Sequence, residues 1–146
     1  MELRNLLVPV ADNAESERAM DVACRLADDH GATIAVLHVI EIPALLPLGA
    51  HMTAEENASH RLLERMTSVA DRYGVRVTAR TLYDRSAGEA IVGFAARRDV
   101  DLIAIGARRK RGKPFGSTVE HVLRKADCRV LMLGAAPAQE AVTAAA

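Results

Sequence analysis

Short apolar runs at 3–10, 32–40, 101–106 and 130–133, separated by stretches of helical periodicity, constrain this chain more than any other feature. Each run is of strand length and carries apolar residues at consecutive positions rather than alternate ones. That pattern marks strands covered on both faces, as in a parallel sheet packed between helices. A fifth run differs. Val75, Val77, Ala79 and Thr81 alternate with Arg76, Thr78 and Arg80, so this strand has one less-covered face and is expected at a sheet edge.

The intervening segments carry helix punctuation. Asp12 and Asn13 precede Glu15 and Glu17, then Ala19, Ala23, Leu26 and Ala27 recur at helical spacing and Gly31 follows as a stop. The segment 54–73 presents Leu62, Met66, Val69, Ala70 and Tyr73 on one face and ends at Gly74. A third helix is predicted over 86–98 with Ala87, Ala90, Ile91, Phe94 and Ala95 inward, and a short fourth with Val119, Val122, Leu123 and Ala126 inward. The order β-α-β-α-β-α-β-α-β predicts a single open α/β domain with helices on both faces of a parallel sheet. The domain is expected to occupy 1–134, and the Ala-rich tail 135–146 to be loose. Between the second strand and second helix lies a 41–53 loop with Pro43, Pro47 and Gly49. Its Leu45, Leu46 and Leu48 are too apolar for a solvated linker and are expected to cover core or ligand.

Composition narrows the function. Nineteen basic and nineteen acidic residues cancel, so no global field steers the chain to nucleic acid or anionic membrane. Two Phe, two Tyr and no Trp leave little for stacking on single strands. No run reaches the ~18 apolar residues of a membrane span, and the first five residues do not read as a signal peptide, so a cytoplasmic protein without membrane insertion is expected. Cys24 and Cys128 form no paired motif and are read as two buried reduced thiols.

The stretch 106–118 carries the chemistry. It joins the C-terminal end of a buried strand to the start of a helix, the edge at which open parallel sheets bind ligands. Arg108, Arg109, Lys110, Arg111 and Lys113 crowd it with positive charge, Gly116 permits close backbone approach, and Ser117 or Thr118 can cap the helix or donate to a phosphate oxygen. Lys113 precedes Pro114 rather than Ser or Thr, so this is not a Walker A loop. Chemistry alone divides evenly between a phosphate site and a capped helix after a charged loop. His38 is read as a core or site-wall residue. His30, His51, His60 and His121 lack metal-ligand spacing, and Ser16, Ser86 and Ser117 lack a nucleophile-elbow context. Glu89 is accounted for by helix-start acidity.

The ordered set of segments 6–10 (LLVPV), 37–39 (LHV), 101–106 (DLIAIG), 116–117 (GS) and 122–133 (VLRKADCRVLML) resembles the universal stress protein family over residues 3–133. The resemblance implies a five-stranded parallel sheet of order 3-2-1-4-5, dimerisation through the last strand, here Val130, Leu131, Met132 and Leu133, and regulatory binding of ATP or AMP, with Mg2+ accompanying ATP. ATP-binding members carry Gly-x2-Gly-x9-Gly-Ser/Thr after the fourth strand, which maps onto Gly106 and Gly116-Ser117. The implied site has Pro9, Val10, Ala11 and Val39 on the adenine and ribose side, and Arg108, Arg109, Lys113, Gly116 and Ser117 at the phosphate. Asp12, Ile105, Gly106 and Thr118 complete it. The chain departs from the pattern in three places. The middle glycine is Arg109, six residues rather than nine separate it from Gly116, and the family's Asp at the end of the first strand is Ala11, with Asp12 one place later. These departures resemble stress-protein domains attached to transporters, which implies the alternative of an interaction subunit with a membrane-transporter partner and no nucleotide. A slow ATPase is a third reading, and no general base is positioned by the sequence.

Overall fold

The computed structural model describes residues 2–109, 112 and 115–134. The expected tail, 135–146, lies outside the described residues, as do Lys110, Arg111, Lys113 and Pro114. Five strands form one parallel sheet: β1 (Asn5–Pro9), β2 (Thr33–Glu41), β3 (Val77–Asp84), β4 (Leu102–Gly106) and β5 (Arg129–Leu133), in the order β3-β2-β1-β4-β5. Four helices connect them: α1 (Ala14–His30), α2 (Thr53–Asp71), α3 (Ala87–Arg97) and α4 (Ser117–Lys125). The alternating strand is β3, and it does lie at an edge.

Strand periodicity divides the core between two faces. Leu6, Val8, Ile34 and Val36 meet Met20, Ala23 and Cys24 of α1 and Leu62 and Met66 of α2. Leu7, Leu37 and Ile103 point the other way, to Ile91 and Phe94 of α3 and Val122 of α4. The inward residues of α1 are small: Ala19, Ala23 and Ala27 are fully buried, so the helix axis sits close to the sheet. Of the two residues expected to supply cap chemistry before α1, Asn13 does so: its side chain accepts from the Ser16 N–H at 2.8 Å. Ser86 caps α3, its Oγ accepting from the Glu89 N–H at 3.2 Å. Gly31 ends α1 in the left-handed region at φ 66°, where a side chain would be strained.

Three expectations are corrected. Leu45, Leu46 and Leu48 do not cover the core; Leu45 is 98% exposed and the other two are also exposed. The covering residue is Ile42, which is buried. Beyond it the Arg85 guanidinium holds the carbonyls of Ile42 and Pro43, and turns closed by Leu46 N–H to Pro43 and Ala50 N–H to Pro47 lead the chain outward. Leu123 is 42% exposed rather than inward, because the buried stripe of this short helix runs through Val119 and Val122 and leaves its flank beyond the sheet. Cys128 is only half-buried, while Cys24 is fully buried. Both are free thiols, and burial pushes the Cys24 thiol up to about 11, so it stays protonated at neutral pH.

Candidate functional site

The strands end at different heights, and the difference opens a cleft of about 450 Å³ at the C-terminal edge of the sheet. β1 pairs with β2 only as far as Pro9↔Leu37, whereas β2 continues against β3 to Glu41↔Asp84. Pro9, Val10 and Ala11 form the floor; Val39 and Glu41 of β2 line one side, and Ile105, Gly106 and Arg108 the other. Ala87 and Ile91 of α3, with Gly116, Ser117, Thr118 and Val119 at the start of α4, close it.

Backbone groups face this space. The Leu37 carbonyl accepts from the Val10 N–H at 2.8 Å, so Leu37 directs its main-chain groups toward β1. Main-chain direction alternates along a strand, and Val39, two residues on, therefore presents its N–H and C=O to the side where β1 has ended. At the other end, Gly116 occupies the N-cap position of α4 in extended conformation (φ −74°, ψ 167°) with no side-chain cap. Among the described residues no side-chain oxygen caps the first-turn N–H groups of α4, which like α2 and unlike α1 and α3 starts without a side-chain cap. Gly106 allows this compact geometry. A Cβ there would stand 2.6 Å from the Glu15 carbonyl carbon and 2.7 Å from the Ser16 nitrogen, because the start of α1 rests against the end of β4.

The sequence-predicted residues divide as follows. Pro9, Val10, Ala11, Val39, Ile105, Gly106, Arg108, Gly116, Ser117 and Thr118 all line the one cleft. Asp12 does not line it; its carboxylate faces outward and pairs with Arg65 of α2 at 2.7 Å. The neighbouring Asn13 lines it instead, because the cap turns that side chain back toward the α1 N-terminus. Arg109 is exposed and outside the lining, and Lys113 falls outside the described residues. Sequence reasoning missed Asn13, Ser16 and Glu41. Ser16 is buried and its Oγ accepts from the Ala11 N–H at 2.9 Å, which fixes the β1–α1 turn. Glu41 Oε2 accepts from the Ala87 N–H at 3.1 Å, which ties the end of β2 to the start of α3. A carboxylate just beyond an apolar strand was the available signal for Glu41.

His38 is a wall residue. Its Nδ1 is 2.8 Å from Ser59 Oγ, which is fully buried and 2.7 Å from Thr81 Oγ1. Burial lowers the His38 pKa below its ordinary 6.5. The folded protein therefore binds fewer protons here than the unfolded chain. The associated stability is whole above about pH 6.5 and is lost as pH falls through the folded pKa. Urea midpoints at pH 7.5 and 5.5 are expected to differ more for the wild type than for His38→Gln. Equal differences would remove His38 from the acid response.

A family model described as the universal stress protein family matches residues 2–134. The chain belongs to that family. Solved universal stress proteins share its fold. One from Archaeoglobus fulgidus is 24% identical, with a TM-score of 0.75 over 91% of this chain and 95% of that one. A universal stress protein from the same organism, solved in complex with dAMP, is 22% identical with a TM-score of 0.74, over 91% of this chain and 99% of that one. Another, in complex with cAMP, is 17% identical with a TM-score of 0.74, over 93% and 100%. No curated protein sequence matched the chain. Among the described residues no helix is long and apolar enough to cross a membrane, and no cluster of His, Cys, Asp and Glu could hold a metal ion.

Proposed function

We propose that this universal stress protein domain is a regulator that binds an adenine nucleotide in the cleft at the sheet edge. The start of α4, without a side-chain cap and lining the same cleft as Arg108, carries the reading. Helix N–H groups with no capping oxygen, beside a guanidinium, form an anion site. The phosphate lies at Gly116-Ser117-Thr118, and the nucleoside crosses the apolar floor of Pro9, Val10 and Ala11. The Val39 N–H and C=O, one donor and one acceptor, match the acceptor and amino donor on the adenine edge. The complexes of related proteins with dAMP and cAMP support the same ligand class. Mg2+, where ATP is the ligand, would ride on phosphate oxygens. Mass spectrometry of small molecules released from freshly purified protein tests the reading. An adenine nucleotide supports it; a blank, with no binding at millimolar AMP or ATP, defeats it.

The exposed Leu45, Leu46 and Leu48 favour a second reading, an interaction subunit whose apolar loop meets a partner such as a transporter. The blank just described, with a partner captured by the wild type and lost on replacing the three leucines by Ser, would favour it.

In either reading we infer a homodimer through β5, the edge strand opposite β3. The Ala107 N–H donates to the Leu133 carbonyl, so odd-numbered residues of β5 face β4 and the main-chain groups of Val130 and Met132 face outward. Pairing with a second copy satisfies those groups under two-fold symmetry. Sedimentation is expected to show a dimer at micromolar concentration and a monomer for Met132→Pro, which removes one outward donor. A wild-type monomer would refute the interface.

A further inference from the structure

Among the described residues Glu15 is the one buried carboxylate with an oxygen that has no hydrogen-bond partner. The residue is 8% exposed, and its Oε2 is buried and accepts no hydrogen bond from the described residues. It is the second residue of α1, and its backbone rests against Gly106 at the end of β4. The α1 N-terminus favours an anion there. The cation within reach is Arg108, whose Nη2 lies 3.6 Å from Oε2, in ion-pair range but beyond a hydrogen bond. Arg108 also lines the cleft, and its side chain is more than half exposed. One exposed guanidinium thus stands between a buried anion and the cleft.

We propose that Glu15 selects the charge of the phosphate group that the cleft accepts. The inference rests on the nucleotide reading above. Arg108 can bridge Glu15 and a phosphate of low charge, because its planar fork offers donors on two edges. A di- or triphosphate brings further negative charge toward the same buried carboxylate. In a partly desolvated site that repulsion is weakly screened, and Arg108 cannot neutralise both anions. The ligand class is therefore a nucleoside monophosphate or cyclic phosphate, with a triphosphate accepted when a divalent cation offsets its charge.

Calorimetry on the full chain, which keeps every cation of the 107–116 loop, tests this with AMP, ATP and ATP plus Mg2+. The wild type is expected to bind AMP more tightly than metal-free ATP, with Mg2+ narrowing the gap. Glu15→Gln keeps the volume and removes the charge, and is expected to raise the ATP-to-AMP affinity ratio about tenfold. A thermal melt establishes that the variant is folded. Wild-type preference for metal-free ATP overturns the proposal, and that measurement needs no variant. An equal loss of AMP and ATP affinity in Glu15→Gln overturns it too, since Glu15 would then only position Arg108. An unchanged ratio does the same. If neither protein binds any of the three ligands, the nucleotide reading itself falls and the inference falls with it.

Discussion

Ser117→Asp is expected to weaken nucleotide binding by roughly 100-fold or more while leaving the fold intact, because the new carboxylate stands where the phosphate would sit. Ser117 is exposed and is the first residue of α4, so the substitution disturbs no packing. An acidic residue in the first helical turn complements the dipole and adds about 0.3–1 kcal/mol of stability. The two effects have opposite signs. A variant that melts at or above the wild-type temperature yet has lost its ligand locates the phosphate at the α4 start. Calorimetry with AMP measures affinity and circular dichroism follows the melt. Unchanged affinity would remove the phosphate from this helix. Arg109 provides a useful contrast. It lies outside the cleft lining, so its replacement by Gly should shift affinity far less than the Ser117 change.

Gly106→Ala is expected to destabilise the protein by about 3 kcal/mol, the upper part of the range for an overpacked core. The added methyl would meet three main-chain atoms of Glu15 and Ser16 at 2.6–2.8 Å, and backbone cannot rotate aside as a side chain can. Relief requires the α1 N-terminus to withdraw from β4. That movement also displaces Ser16, whose Oγ holds the Ala11 N–H, so the cleft floor loosens and ligand affinity falls as well. Gly49→Ala is the matched control: nothing lies within 4 Å of its added Cβ, and the change should stay within about 0.5 kcal/mol. Urea unfolding of both variants gives the comparison. A cost below about 1 kcal/mol for Gly106→Ala would mean that α1 can withdraw from β4 with little loss of packing.

The same close approach explains why Gly106 was readable and its cause was not. The residue stood out as the glycine ending an apolar strand, and the family resemblance assigned it to phosphate. The neighbour that requires its missing side chain comes from α1, some ninety residues earlier in the chain. The other long-range features share this character. Asp12 and Asn13 are adjacent polar residues before a helix, equally suited to a cap or a site. Which one enters the cleft depends on Asn13 taking the cap and on Arg65, a residue of α2, drawing Asp12 outward. The three leucines after β2 were legible as unusual. Their exposure follows from Ile42 and Arg85 closing the core ahead of them.

By itself the sequence determined the α/β class, the count and order of the elements, the edge position of the alternating strand, and the presence of cap chemistry at Asp12-Asn13 before α1. These rest on local periodicity and local hydrogen bonds, which a few neighbouring residues suffice to specify. Tertiary structure alone decided that β1 stops short of β2, and so that Val39 has open main-chain groups. It also placed Asn13, Ser16 and Glu41 around one space and buried Glu15 beside the only cation that reaches it among the described residues. Such features are differences in strand length and meetings between distant segments. They depend on how the helices settle on the sheet, which no local pattern encodes.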